Sequence, residues 1–261
     1  MRNIATFVDW ERDTRSGVPI LAYHHIGHSQ RRTRLQWLFF SPEGFRRMIN
    51  ELIHDDFQAV PIDNALPGQQ SAARRFVITF DDGYESVLKY AADFLRERKF
   101  VAIQFLVAGL LGRTNEWDSG QQFAIEPLMG RTQVMEWLSI GHEIGAHTLT
   151  HPRLSQIPLS RAREEIHSSK KKLEDLFGVP VRHFAYPYGD RNPEVTAIVK
   201  EADFCTACTT DPGFVQAGDD PFHLRRLMAR ERTVLSWAAL RVRKSLRLAY
   251  LRNRAEISIR D

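Results

Sequence analysis

Short apolar runs alternate with helical patterns along most of this chain, the arrangement of an α/β fold with a mainly parallel sheet. Candidate strands are Pro19 to Tyr23, Ala59 to Pro61, Phe76 to Phe80, Ala102 to Val107, Glu143 to Ala146, His183 to Tyr186 and Cys205 to Thr209. Between them the pattern predicts helices over Ser41 to Asp55, Glu85 to Arg98, Arg131 to Ile140, Ser160 to Phe177 and Pro193 to Ala202. The fourth of these is well bounded: Ser160 is placed to cap it, Glu164 and Glu165 suit its positive end, and Gly178 with Pro180 stops it.

A chain of 261 residues with 43% hydrophobic content buries one substantial core. One domain is expected over 18–230, after an extension over 1–17 and before a tail over 231–261. The formal charge of +4 is too small for a nucleic-acid-binding stripe across the domain. No apolar run approaches the roughly 18 residues of a membrane span. The N-terminus has no basic segment followed by an apolar one, so a cytoplasmic enzyme is expected, peripheral to the inner membrane at most. In the tail, Leu235, Ala239, Val242, Leu246 and Ala249 recur at helical spacing, with Arg243, Arg247 and Arg254 on another face. This basic amphipathic helix over 231–254 lies against an anionic membrane or packs on the domain.

The chemistry concentrates in two places. The run Phe76-Val77-Ile78-Thr79-Phe80 delivers Asp81 and Asp82 to the carboxyl end of a strand, where active sites gather in parallel α/β folds, and Gly83 permits the turn. Two carboxylates this close repel unless a positive group sits beside them, and a divalent metal is the usual answer. His147 and His151 stand four apart, on one face whether the segment is helical or extended. The rival zinc-protease pattern H-E-x-x-H begins at His142-Glu143, but its second histidine falls on Ala146. Cys205 and Cys208, three apart on a strand, point to opposite faces and share neither a disulfide nor a metal. Trp117, in the long segment from Gly109 to Gly130, is a sugar-stacking platform or a pin for its loop.

Thr79-Phe80-Asp81-Asp82-Gly83 and His147-Thr148-Leu149-Thr150-His151-Pro152 resemble the first two signature motifs of the polysaccharide deacetylase family, the NodB-homology domain of carbohydrate esterase family 4. The resemblance implies a deformed (β/α) barrel of about seven strands holding one divalent ion, Zn2+ first, with Co2+, Ni2+ or Mn2+ as alternatives. By motif position Asp82, His147 and His151 are its ligands and Asp81 the catalytic base. The implied substrate is an N-acylated amino-sugar or glycan. Water activated by the metal attacks the acetamide carbonyl, Asp81 takes the proton, and the backbone N–H of Tyr188 helps hold the oxyanion.

The chain departs from the family twice. In Ala185-Tyr186-Pro187-Tyr188-Gly189, Ala185 stands where the family has the arginine that orients the base. Arg225 or Arg226 replaces it, or both are surface strand residues. The late motif that carries the general-acid histidine is also missing. His24, His25 and His223 are the candidates, and His24 is assigned because it follows the first strand. These departures leave two other readings open: an impaired carbohydrate-binding domain, and an amidase or deformylase of small molecules.

Overall fold

The computed structural model describes residues 17–28, 36–66, 74–119 and 124–229. Its strands are β1 (Ile20–Tyr23), β2 (His25–Ile26), β3 (Phe39–Phe40), β4 (Phe57–Ala59), β5 (Arg74–Phe80), β6 (Ala102–Leu106), β7 (Glu143–Ala146), β8 (His183–Ala185), β9 (Thr206–Pro212) and β10 (Leu224–Met228). The helices are α1 (Pro42–His54), α2 (Glu85–Glu97), α3 (Arg131–Ser139), α4 (Leu159–Phe177) and α5 (Pro193–Glu201). Neighbouring strands run parallel in the order β1-β10-β9-β8-β7-β6-β5, and β5 pairs back onto β1, so seven strands close a barrel. β4 pairs with β5 outside that ring, and β2 with β3 forms a small separate sheet.

Closure follows from side chains that are apolar on both faces of a strand. Val77, Ile103, Phe105, Ala185, Cys208 and Leu224 meet in one apolar cluster inside the barrel. Phe76, Ile78, Phe80, Ala102 and Leu106 alternate with them and join a larger cluster with Phe45, Ala91, Trp137, Ile166 and Val195 of the surrounding helices. Asp81 continues the inward parity of Val77 and Thr79, so the barrel interior decides what it meets.

Several expectations shift. Helix α4 starts at Leu159, with Pro158 rather than Ser160 at the cap position, because Ser160 is already inside the first turn. Gly178 closes it in the left-handed conformation as expected, at φ 67°. The strand expected over Ala59 to Pro61 lies two residues earlier, because Pro61 has no N–H for the ladder and opens a 3-10 turn instead. Strand β10 was hidden by its Arg225-Arg226 pair, and β2 and β3 by their shortness. Cys205 is exposed just before β9 and Cys208 buried within it, both free thiols. The basic helix over 231–254 and the extension up to residue 16 lie outside the described residues.

Candidate metal centre

Asp82, His147 and His151 converge at the carboxyl end of the barrel, with one ligand atom from each lying within 4.8 Å of the others. Asp82 lies two residues past β5 at φ 74° and Gly83 follows at φ 90°, a turn that separates the Asp82 carboxylate from that of Asp81. His147 and His151 belong to neither a helix nor a strand, contrary to the spacing argument. A turn with positive φ at Thr148 (68°) and His151 (65°) brings their rings to 4.9 Å.

That turn is held from three sides. Ala108 N–H donates to Thr148 and Gly109 N–H to Leu149, each at 2.9 Å. His151 N–H donates to Thr148 Oγ1 at 3.0 Å. Glu165 of α4 accepts from Leu149 N–H (2.8 Å), Thr150 N–H (2.9 Å) and Thr150 Oγ1 (2.6 Å). The expected service of Glu165 to its own helix end is therefore replaced by a clamp on the histidine loop.

The donor set fits a divalent cation. A carbonyl only accepts, so the 2.7 Å contact of His147 Nδ1 with Ala185 O puts the proton on Nδ1 and leaves a lone pair on Nε2. That lone pair faces Asp82 Oδ1 at 3.4 Å, and His151 Nε2 faces the same oxygen at 3.3 Å. Asp82 Oδ1 is buried without a hydrogen-bond partner among the described residues. Two ligand atoms each about 2.1 Å from one tetrahedral ion stand roughly 3.4 Å apart, the spacing observed. Burial, and next the charge of Asp82, hold the Tyr84 hydroxyl protonated well above its usual range.

Asp81 has the opposite surroundings. Arg226, wholly buried on β10, gives it two hydrogen bonds of 2.7 Å, while its Nε holds Thr209 O at 2.9 Å and Nη1 also reaches Thr79 Oγ1 at 3.1 Å. Burial pushes the Asp81 carboxyl up, but the charge and hydrogen bonds of Arg226 outweigh it and hold the pKa below the usual range. Arg226 thus puts beside Asp81 the guanidinium that Ala185 lacks, whereas Arg225 pairs with Asp219.

The three candidate acids separate cleanly. His24 Nε2 lies 4.0 Å from Asp81 Oδ2. His25 is buried between Phe39 (ring centroids 4.1 Å apart) and Tyr84 (3.5 Å), and burial lowers its pKa to about 3. His223 pairs with Asp211 at 2.6 Å in an exposed contact. Trp117 stacks on His151 at 4.3 Å, so it does pin its loop, and it pins it to the centre. Sequence reasoning missed Asp118 beside it: nearly buried and held by Asn115 Nδ2 at 2.8 Å, its pKa is raised to about 6 by burial and by Asp82. It also missed Glu165 and Tyr84. The only signals available were an acid in a long loop, an acid in a helix and an aromatic after Gly83.

A closed parallel barrel with an Asp-His-His cluster able to hold a metal at its carboxyl rim, and a charged carboxylate beside that cluster, is the arrangement of a (β/α) barrel of the hydrolase kind. The chain belongs to the polysaccharide deacetylase family, whose pattern it matches over residues 68–207, more than half its length. It is 32% identical over 127 residues to a chitooligosaccharide deacetylase of Azorhizobium caulinodans, a match covering 48% of this chain and about half, 52%, of that relative. Among solved structures, IcaB from Ammonifex degensii superposes with a TM-score of 0.73 at 24% identity, over 86% of this chain and 96% of that one. BC0361, a polysaccharide deacetylase from Bacillus cereus, gives 0.70 at 25% identity, over 85% and 68%.

Proposed function

We propose that this protein is a divalent-metal hydrolase that removes an N-acetyl, or similar N-acyl, group from an amino-sugar in a glycan, a glycan precursor or a lipid-linked sugar. One observation carries the reading: the ionised Asp81, gripped at both oxygens by the buried Arg226, stands next to the Asp82, His147 and His151 cluster. An impaired binding domain has no use for a fixed base beside a metal centre, and the arginine missing at position 185 is supplied from β10.

Asp82, His147 and His151 would hold the ion, and its nitrogen and oxygen donors favour Zn2+ among the four candidates. Bound there, the ion would supply Lewis acidity and bring the pKa of a coordinated water toward about 7. Asp81 accepts the water's proton. Arg226 keeps Asp81 ionised at neutral pH and fixes the direction of its lone pairs. His24 approaches Asp81 from its own loop and gives a proton to the departing nitrogen. Tyr188 offers its backbone N–H to the oxyanion from a turn set by φ 58° at that residue.

The test is mass spectrometry of N-acetylated oligosaccharides, lipid-linked sugars and small N-acyl amines after incubation with metal-loaded protein. Loss of one acetyl mass from a sugar is expected. Turnover of the small amines alone would replace this reading with that of a small-molecule amidase.

A further inference from the structure

Beyond the reacting centre, the rim formed by the loops after β7 and β8 carries a charge that no carboxylate among the described residues pairs. Arg153 lies two residues past His151 with its guanidinium 4.1 Å from the centroid of the Tyr188 ring. Tyr188 is 41% exposed, and its ring meets the His151 ring edge-on at 4.6 Å. Among the described residues no carboxylate lies within 4 Å of the Arg153 nitrogens, unlike Arg161, Arg182, Arg225 and Arg226.

The two side chains are held in place by their loops. Two residues beyond Arg153, Ser155 donates from its N–H and Oγ to the two oxygens of Asp190, at 2.8 and 2.9 Å, and Asp190 lies two residues beyond Tyr188. The Tyr188 turn is fixed further by Thr210 Oγ1, which donates to Tyr188 O at 3.2 Å. Gly189 sits at φ 69°, where an added Cβ would come within 2.1 Å of Thr210 Oγ1. An arginine lying over a ring keeps N–H groups free for an oxyanion, and a pre-fixed platform loses little entropy when one docks.

We propose that Arg153 and Tyr188 form a subsite for an oxyanion, a carboxylate or a phosphate, carried by the sugar next to the acylated one. The ring supports the apolar face of that sugar and the guanidinium takes its charge. The preferred substrate is therefore an anionic glycan. This rests on the deacetylase reading above and adds a selectivity to it.

The experiment compares kcat/KM of the metal-loaded full chain for three N-acetylated oligosaccharides of equal length: neutral, carboxylate-bearing and phosphate-bearing. Wild type should prefer an anionic substrate about tenfold, the scale of one charge-assisted hydrogen-bonded pair, and the ratio should fall toward one in Arg153→Gln and be partly kept in Arg153→Lys. Which anionic substrate leads tells the carboxylate from the phosphate. A wild-type ratio near one, or a ratio that survives in Arg153→Gln, overturns the subsite. If no oligosaccharide is turned over, the deacetylase reading fails, and calorimetric titration of the same sugars decides the subsite separately. Tighter binding of the anionic sugars by wild type than by Arg153→Gln upholds it, and equal binding overturns it.

Discussion

Asp81 and Asp82 are adjacent and chemically identical, yet the positive φ at Asp82 sends one carboxylate to a guanidinium and the other to two imidazoles. Their substitutions should fail differently. Asp82→Ala should lose most of its metal by elemental analysis, because a ligand is gone. Asp81→Asn should stay metal-replete while turnover drops on the order of 10² to 10⁴, the usual cost of a missing general base. A metal-replete, fully active Asp81→Asn protein would sink the assignment. Arg226→Met should act through Asp81. Removing one member of a buried ion pair typically costs about 3–5 kcal/mol, measurable by urea unfolding. The Asp81 carboxyl, freed from the charge that holds it down, should titrate higher, so the acid limb of the kcat/KM profile should move to higher pH. Loss of stability with an unmoved acid limb would reduce Arg226 to a structural residue.

At the scale of elements, the histidine loop depends on a helix that contributes no ligand. Glu165 is wholly buried in α4, takes Arg161 Nη2 at 2.7 Å, and spends its remaining capacity on the Leu149 and Thr150 backbone. Glu165→Ala leaves two backbone N–H groups without an acceptor beneath His151 and frees the turn. Metal affinity should fall about 10- to 100-fold, the range seen when partners that orient ligands are removed, while far-ultraviolet circular dichroism holds. Metal affinity equal to wild type would show that Ala108, Gly109 and Thr148 position the loop unaided. The same logic makes β10 more than a closing stave: its alternation puts Leu224 into the interior cluster and Arg226 one step higher, at the level of Asp81.

For the whole molecule, part of the acid stability is set at the amino end of β7, the opposite end of that strand from His147. His142 is buried against Trp137, ring centroids 4.1 Å apart, and burial lowers its pKa to about 4. Above pH 6.5 it is neutral in folded and unfolded chains alike. As pH falls from about 6.5 toward 4 the unfolded chain gains a proton that the folded one refuses, so the stability it contributes is lost over that window. His142→Phe keeps the stacking and removes the titration. Unfolding free energies of wild type and variant should therefore diverge in favour of the variant by on the order of 1–2 kcal/mol between pH 7.5 and pH 5. A constant difference across that range would show that His142 is protonated inside the fold.

Local pattern alone carried the parallel α/β class, the approximate bounds of five helices and most barrel strands, and the four residues Asp81, Asp82, His147 and His151. Each of those is a matter of neighbours in sequence: a β run ending in acids, or two histidines in one short loop. The partners of Asp81 were not legible in the same way, because Arg226 stands 145 residues away and only barrel closure brings β10 to that side of the interior. Nothing in Arg225-Arg226 says which one turns inward, since a strand sends successive side chains to opposite faces and register decides the sense. His24 and Arg226 both fall outside the segment 68–207 that carries the family pattern, one before it and one after. The sequence names the candidate ligands because their signals are local, and the tertiary fold chooses the groups that tune them because charge acts through space.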